Sequence, residues 1–447
     1  MAKAETKDKN SELMEKIVSL CKRRGFIFQG SEIYGGLAGT WDYGPHGAEL
    51  ANNIKNIWWK MFITDREDMY GVDAAIIMNP KAWEASGHVA GFSDPLIECE
   101  KCHHRFRADH LEDKNTCPDC GGKLGPEKQF NMMFKTYVGA AEDASAVAYL
   151  RPETAGGMFV NFKNIIDSMH PKLPFGMGQI GKAFRNEIAP RDFIFRSREF
   201  RQMEIEYFVD PRDQDKVMEV FDGWYEEQQR FLAMLGLSQD HLHKIEVPEA
   251  DRAHYSKRSV DTEFDFPFGQ KELLGLAYRT DYDLRNHAAV SGADLSYFDE
   301  ATKERIVPHC IEPTFGLERL VLAVLSEAYA EDEQDGEIRT YLRFSPIVAP
   351  VKVAVFPLLK NKEILVSKAR EIYTKLKKEF GAVVFDDNGN IGKRYRRQDE
   401  IGTPWCVTVD FDTVEKDAGV TVRDRDTGEQ KRMAVDEFVT FAKGHLN

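Results

Sequence analysis

Four cysteines form the most specific chemical pattern in this chain: Cys99-x2-Cys102, fourteen intervening residues, then Cys117-x2-Cys120 followed by Gly121-Gly122. Each Cys-x2-Cys turn presents two thiolates to one ion, and two such turns complete a tetrahedron around Zn²⁺. The other reading of such a cluster is disulfide pairing, which a reducing compartment disfavours. Four thiolates fill the coordination sphere and leave no open position for a substrate. The expected metal is therefore structural, and its binding contributes to folding of the island. His103, His104 and His110 lie inside the island and are expected at the surface.

A second constellation is built from arginines. Phe184-Arg185-Asn186-Glu187 ends one predicted strand, a loop carries Arg191 and Arg196, and Arg198-Glu199-Phe200 opens the next. Guanidinium groups at the mouth of a hairpin bind phosphate or carboxylate bidentately, and Phe200 offers a face for a base. A solvated basic hairpin with a core phenylalanine has the same pattern. Further on stands Glu312-Pro313-Thr314-Phe315-Gly316-Leu317-Glu318-Arg319. Its glycine admits close approach of backbone to a ligand, and a helix N-terminus favours anions. Arg319 could reach a phosphate, cover a ring, or pair with an acid. The segment is neither a Walker loop nor a dinucleotide fingerprint.

These residues need elements to hold them. The spacing predicts a helix over 11–24, capped by Asn10 or Ser11 and stopped at Gly25, and an irregular glycine- and aromatic-rich stretch over 30–47. Helices follow over 48–62, 214–237 and 317–330, with strands over 178–187, 199–209 and 308–314. Glu331, Asp332, Glu333 and Asp335 read as a solvated acidic joint. Beyond it, strands over 351–357, 382–386 and 405–409 alternate with helices, including 361–380 and a basic stretch, as in a small α/β domain.

At 447 residues, length alone suggests roughly three domains. The net charge of −14 argues against a strongly basic protein, but residues 350–447 carry net +2 and the first 349 carry −16. The acidic balance therefore says little about a nucleic-acid partner for the tail. No 18-residue apolar run predicts a membrane span, and the charged N-terminus lacks the apolar stretch of a secretory signal. A cytoplasmic location is expected.

The two arginine segments resemble motifs 2 and 3 of the class II aminoacyl-tRNA synthetases: Phe184–Phe200 as FRNE–loop–REF, and residues 315–319 as FGLER. Gly36-Leu37 through Asp42-Tyr43-Gly44-Pro45 and Asn53 are similar to motif 1 in its glycyl form. Leu150-Arg151-Pro152-Glu153-Thr154-Ala155, Ala85-Ser86-Gly87-His88, Gln202-Met203-Glu204-Ile205-Glu206, Arg279-Thr280-Asp281 and Ile311-Glu312-Pro313 also match that family. Residues 391–404, IGKRYRRQDEIGTP, resemble the anticodon-binding domain shared with prolyl, threonyl and histidyl enzymes. The resemblance, to the homodimeric glycyl-tRNA synthetase family, runs in consistent order from about Ile17 to the C-terminus.

The resemblance implies an α+β catalytic domain, an antiparallel sheet flanked by helices, over 1–97 and 127–345. A zinc-binding insertion would occupy 98–126, and a C-terminal α/β anticodon-binding domain 346–447. It implies ATP-dependent ligation of glycine to tRNA(Gly) through glycyl-adenylate, in a homodimer, with Mg²⁺ accompanying ATP. By carry-over, Arg185 bridges the α-phosphate and the glycine carboxylate. Arg319 lies against the adenine or the γ-phosphate, Phe200 stacks on the other adenine face, Glu187 holds the adenine amino group, and Arg191 meets the triphosphate tail. Arg151, Glu153, Glu204, Arg279, Glu312 and Thr314 are expected around glycine, with Glu204 and Glu312 facing its ammonium. Lys393, Arg394, Arg396 and Arg397 are expected on tRNA, with Tyr395 stacking on unpaired bases.

Three positions depart from the family pattern. Gly156 stands where a glutamine is usual in RPETAQG, Thr314 where serine is usual, and Arg201 where bacterial relatives often carry glutamate. A vanished amide at 156 is expected to loosen a hydrogen-bond network or enlarge the site. The rival readings are a class II paralogue of different amino-acid specificity and a non-catalytic tRNA-binding relative. The first lacks support in the glycyl-type signatures; the second typically loses the arginines that are present here as Arg185 and Arg319.

Overall fold

The computed structural model describes residues 2–140, 142–253, 255–334 and 336–446, with side chains from residue 12 onward. A seven-stranded sheet forms its centre: β1 (Met69–Gly71), β2 (Phe175–Phe184), β3 (Glu199–Val209), β4 (Leu242–Glu246), β5 (Arg258–Phe266), β6 (Gly269–Thr280) and β7 (His309–Gly316). Their spatial order is β4-β5-β6-β7-β3-β2-β1, antiparallel throughout except where β1 runs parallel to β2. From Gln202 to Val209 every residue of β3 is buried, as a central strand covered on both faces requires.

One layer over the sheet comes from α1 (Pro45–Trp59) and α2 (Leu317–Ala328). Pro45 occupies the first turn of α1, where its missing N–H costs nothing. Ile54, Ile57, Trp58, Met61 and Phe62 are all buried, and Trp58 and Phe62 meet Phe315 of β7 at ring separations of 5.9 and 5.2 Å. This apolar stripe belongs to the chain's own core. On the other face, the Ala155–Met169 helix packs Phe159 and Phe162 against Phe208 of β3.

The C-terminal unit is a five-stranded sheet in which Val383–Phe385, Val353–Pro357 and Trp405–Val409 are parallel, and Val420–Asp424 and Gln430–Met433 complete it antiparallel. The Glu363–Phe380 and Ile391–Ile401 helices cover it. Its connector is tied back to the seven-stranded unit: Asn53 Nδ2 of α1 donates to the carbonyls of Val348 and Ala349 at 3.1 and 3.0 Å.

Several expectations need correction. The first helix begins at Ala2, so neither Asn10 nor Ser11 caps it. The strand expected over 178–187 is Phe175–Phe184, because Arg185 onward turns into the loop. The acidic joint is a β-hairpin, Tyr329–Gln334 paired with Glu337–Leu342. Asp332 there accepts from the fully buried Arg339, which also donates to the Arg425 carbonyl at 2.7 Å and so binds the two units together. Asp335 lies outside the described residues.

Candidate functional site

The β2–β3 hairpin pairs Phe184 with Glu199 and Ala183 with Phe200, and the Arg185 N–H extends the ladder by donating to the Arg198 carbonyl at 2.9 Å. This places Arg185 at the hairpin mouth. Its guanidinium lies 5.3 Å from the rings of both Phe92 and Phe200, and its Nε donates to the Pro152 carbonyl at 3.1 Å. Sandwiched between two aromatic faces, it keeps its remaining N–H donors for a ligand.

Arg185, Glu187, Phe200, Thr314 and Arg319 converge on one cavity of about 260 Å³. Arg319 projects from the first turn of α2 over the Phe195 ring at 4.5 Å and pairs with Glu272 at 3.2 Å. That arginine is the main reason the Glu272 carboxyl is held below its usual range. Glu187 has a buried Oε2 with no hydrogen-bond partner, and its nearest cation, Arg196, stands 3.9 Å away. An orphaned acceptor at the wall of a cavity fits a ligand amino group. Arg191 stands apart, half-exposed on the loop beside Asp192 at 3.4 Å, and does not line the cavity.

An acidic corner adjoins Thr314. Thr314 is opposite Glu204 across β3–β7 and opposite Gly275 across β6–β7, and its hydroxyl lies 3.4 Å from Glu204 Oε1. Glu204 itself is buried with both oxygens occupied. Oε2 accepts from the Thr154 N–H at 3.0 Å and from the Thr154 hydroxyl, and Oε1 accepts from Gln202 Nε2 at 3.1 Å. Glu204 thus holds the turn that carries Glu153 rather than presenting a free carboxylate to an ammonium. Arg151 also turns inward, donating to the carbonyls of Lys182 at 2.6 Å and Ala74 at 2.8 Å. A Cβ at Gly181 would collide with its guanidinium, so that glycine is what lets Arg151 pass beneath the sheet.

Two carboxylates remain, in different states. Burial raises the Glu153 carboxyl, but His88, whose Nε2 lies 3.2 Å away, together with Arg279 and Arg185, outweighs this and brings it down to about 2. Glu312 is pushed up to about 8 by burial, against the pull of Arg279 and with Glu204 and Glu153 adding repulsion. Arg279 is 1% exposed; its Nη1 donates to Glu312 at 2.7 Å, while Nε and Nη2 donate to Asp283 at 2.8 and 3.0 Å. The corner therefore holds one firmly charged carboxylate and one poised near neutrality beside a fixed cation.

The departures resolve in structural terms. At Gly156 a Cβ would meet the Trp83 ring at 2.8 Å: the buried indole fills the space, and no void opens. Arg201 donates its N–H to Glu318 at 2.7 Å, pairs with it through Nε at 3.2 Å, and lies over the Tyr43 ring at 4.3 Å. It thereby joins β3 to the start of α2.

In the cysteine island, Cys99 and Cys120 sulfurs are 3.6 Å apart and those of Cys102 and Cys117 3.7 Å. All four lie within 4.8 Å of one another. A tetrahedron with Zn–S bonds of about 2.3 Å has edges of about 3.8 Å, so the donor set fits Zn²⁺. His103 and His104 are exposed, engaged with Glu98 and Asp119. The same island delivers Arg107 to the wall of the cavity, held by Asp94 and Asp109 at 2.7 Å each. Sequence reasoning missed Arg107, because nothing local links it to residues far along the chain.

The basic cluster of the C-terminal unit divides by helix phase. Lys393 is exposed, and Arg396 faces Glu337 at 3.7 Å with one N–H unpaired. Arg397 is bound by Asp386 at 2.6 Å. Arg394 is 1% exposed and donates to the carbonyls of Pro357, Asp387 and Gly389. Tyr395 is turned in, its hydroxyl 2.8 Å from that of Thr408 and its ring 5.6 Å from Phe356. The expectation that Arg394 and Tyr395 meet tRNA is therefore corrected: both are absorbed by the fold.

Residues 137–328 match the family model described as tRNA synthetase class II core domain (G, H, P, S and T), and residues 352–445 that described as anticodon binding domain. The chain is 52% identical to a glycine–tRNA ligase of Caldanaerobacter subterraneus subsp. tengcongensis over 97% of its own length and 98% of the relative's. It is 50% identical to that of Bacillus cereus over 96% and 98%, and 48% identical to that of Geobacillus thermodenitrificans over 98% of each.

Proposed function

The chain belongs to the glycine–tRNA ligases of the class II synthetase family, and we propose that it joins glycine to tRNA(Gly) through a glycyl-adenylate formed in the Arg185–Arg319 cavity. The convergence of those two arginines with the orphaned Glu187 acceptor on one cavity, next to an acidic corner, carries this reading. Adenylate formation is in-line attack of the glycine carboxylate on the α-phosphorus of ATP, with pyrophosphate leaving. It needs positioning and charge neutralisation and no protein nucleophile. Arg185 neutralises the α-phosphate and orients the carboxylate. Phe200 and Arg319 enclose the adenine, Glu187 accepts from its amino group, and Arg107 meets the phosphate tail, with Arg191 left outside the cavity on its loop. Glu153 and Glu312 hold the ammonium, Arg279 fixes Glu312, and Glu204 and Arg151 position the Glu153 turn.

Glu272, facing the cavity, would hold the Mg²⁺ that accompanies ATP, and the ion would supply charge neutralisation to the phosphates. Zn²⁺ at the four cysteines is structural. Lys393 and Arg396 are our choice for anticodon contact. We divide the chain into catalytic segments 1–97 and 127–345, the zinc insertion 98–126 and the anticodon domain 346–447. A homodimer is supported by the apolar segment beside α1, where Ile33 is 88% and Tyr34 86% exposed. Among the described residues no helix is long and apolar enough to cross a membrane, and we assign the reaction to the cytoplasm.

Pyrophosphate exchange with each amino acid, followed by charging of tRNA(Gly), tests the reading. Exchange with glycine alone supports it. Exchange with another amino acid, or none, refutes it.

A further inference from the structure

Glu153, Glu312, Arg279 and Arg185 would grip an ammonium and a carboxylate, and every amino acid carries both. None of these groups can refuse alanine. Refusal requires a surface that occupies the place of a side chain, because a methyl group is rejected only weakly by missing apolar contact and strongly by collision.

Such a surface stands over Arg279. The Tyr255 ring lies 3.9 Å from the Arg279 guanidinium, on the face left open by the in-plane bonds to Glu312 and Asp283. Phe159 lies 5.3 Å from the same guanidinium. Tyr282 is 6.1 Å from Tyr255, and its hydroxyl stands 3.7 Å from where a Cβ on Gly87 would be. Gly87 precedes His88, the partner of Glu153. An aromatic row therefore runs from Arg279 to the Glu153 side of the corner. Electrostatics place Tyr255 there as well. Its hydroxyl is pushed upward first by burial, then drawn down by Arg279 and raised again by Glu312, Glu153 and Asp283.

The ring is carried by the loop 248–257 between β4 and β5, whose described residues, 248–253 and 255–257, close it by their own bonds. Arg252 donates through Nε to the Val247 carbonyl at 2.9 Å and through Nη1 to the Lys257 carbonyl at 2.7 Å, joining both ends. The Lys257 N–H donates to the Tyr278 carbonyl at 2.8 Å, which docks the loop beside Arg279 on β6. Ser256 Oγ adds a bond to the Arg258 carbonyl at 2.7 Å. Bonds at both ends and docking on β6 fix where the loop presents its aromatic ring, and a ring so placed can exclude by collision.

We propose that the Tyr255 ring, laid over Arg279 by the loop 248–257, is the specificity-determining wall that restricts the amino-acid corner to glycine. The inference rests on the reading of that corner as the glycine site.

Pyrophosphate exchange is measured with glycine and with alanine for the full-length wild type, Y255F, Y255L and Y255A. The readout is the ratio of kcat/KM for alanine to that for glycine, with thermal melting run alongside. Wild type exchanging with glycine establishes the site; absence of that exchange sinks the functional reading before Tyr255 is touched. Y255F keeps the ring and is expected to keep the wild-type ratio. Y255A is expected to raise the ratio about tenfold or more, with Y255L between. Should Y255A fold poorly, Y255L, which retains apolar cover on Arg279, carries the comparison. An unchanged ratio in folded Y255A or Y255L overturns the proposal. So does equal loss of both substrates in the two variants, which would make Tyr255 a positioning residue for Arg279.

Discussion

Glu312 Oε1 lies 2.7 Å from Arg279 Nη1, yet its carboxyl is raised to about 8 because burial and three further carboxylates outweigh the arginine. Below that value the ligand-free corner keeps a proton on Glu312, and an arriving ammonium favours its release. The KM for glycine should therefore fall as pH rises from about 6 to 8, and E312Q should abolish that slope. Stability has the opposite sign. Between the ordinary carboxylate value of 4.5 and about 8, the folded chain holds a proton that the unfolded chain has released, so this group lowers stability as pH rises through the window. Thermal melting across pH should show a shallower decline in E312Q than in wild type.

Arg319 touches the Phe195 face and Glu272 but no backbone element that depends on it for folding beyond the Glu272 carbonyl at 3.1 Å. R319A should melt near the wild-type temperature and lose roughly 10²–10³-fold in kcat/KM for ATP, about 3–4 kcal/mol, the scale for removing one preorganised donor. Steady-state exchange at varied ATP checks it. R319K should recover only part, because a point charge cannot lie flat on a ring.

The cysteine island and Arg107 make a linked pair of outcomes. C117S should reduce metal content from about one zinc per chain to near zero. It should also raise the KM for ATP toward that of R107A, as expected of a metal site whose occupancy orders the strand that carries Arg107. Metal analysis combined with ATP titration decides the matter; a zinc-free C117S with unchanged KM for ATP would separate the island from the cavity.

In the C-terminal unit, neighbouring arginines should respond differently. K393E combined with R396E should raise the KM for tRNA and weaken its salt dependence while leaving glycine-dependent exchange intact. R394A should act on stability, because three carbonyls lose their donor, at a cost of about 3 kcal/mol in thermal unfolding. Charging kinetics and melting curves separate the two effects.

Motif residues were legible because their chemistry is local: Arg185 and Arg319 stand beside the hairpin and helix start that aim them. The cysteine spacing likewise predicted a donor set that the fold assembles. Residues that act across the fold were not legible. Arg107 reaches the cavity, Tyr255 reaches Arg279 and Trp83 reaches Gly156 from distant segments, which no local pattern encodes. Helix phase explains the divided basic cluster. Arg394 and Gln398, four residues apart, share the buried face, so a run of cations became one exposed, one nearly free and two consumed by the domain. The acidic run near 331 misled for the reverse reason. Asp332 pairs across a hairpin with Arg339, and charge density alone does not reveal a partner.

Asn53 donates to the connector carbonyls from a helix buried in the catalytic core, and Arg339 reaches across to the Arg425 carbonyl. The anticodon unit is consequently not a transplantable cassette. A foreign domain joined to this chain at residue 346 would bring its own connector onto Asn53 and orphan Arg339 unless the receiving carbonyl were preserved. Exchange of this domain between synthetases must preserve the seam as well as the sheet.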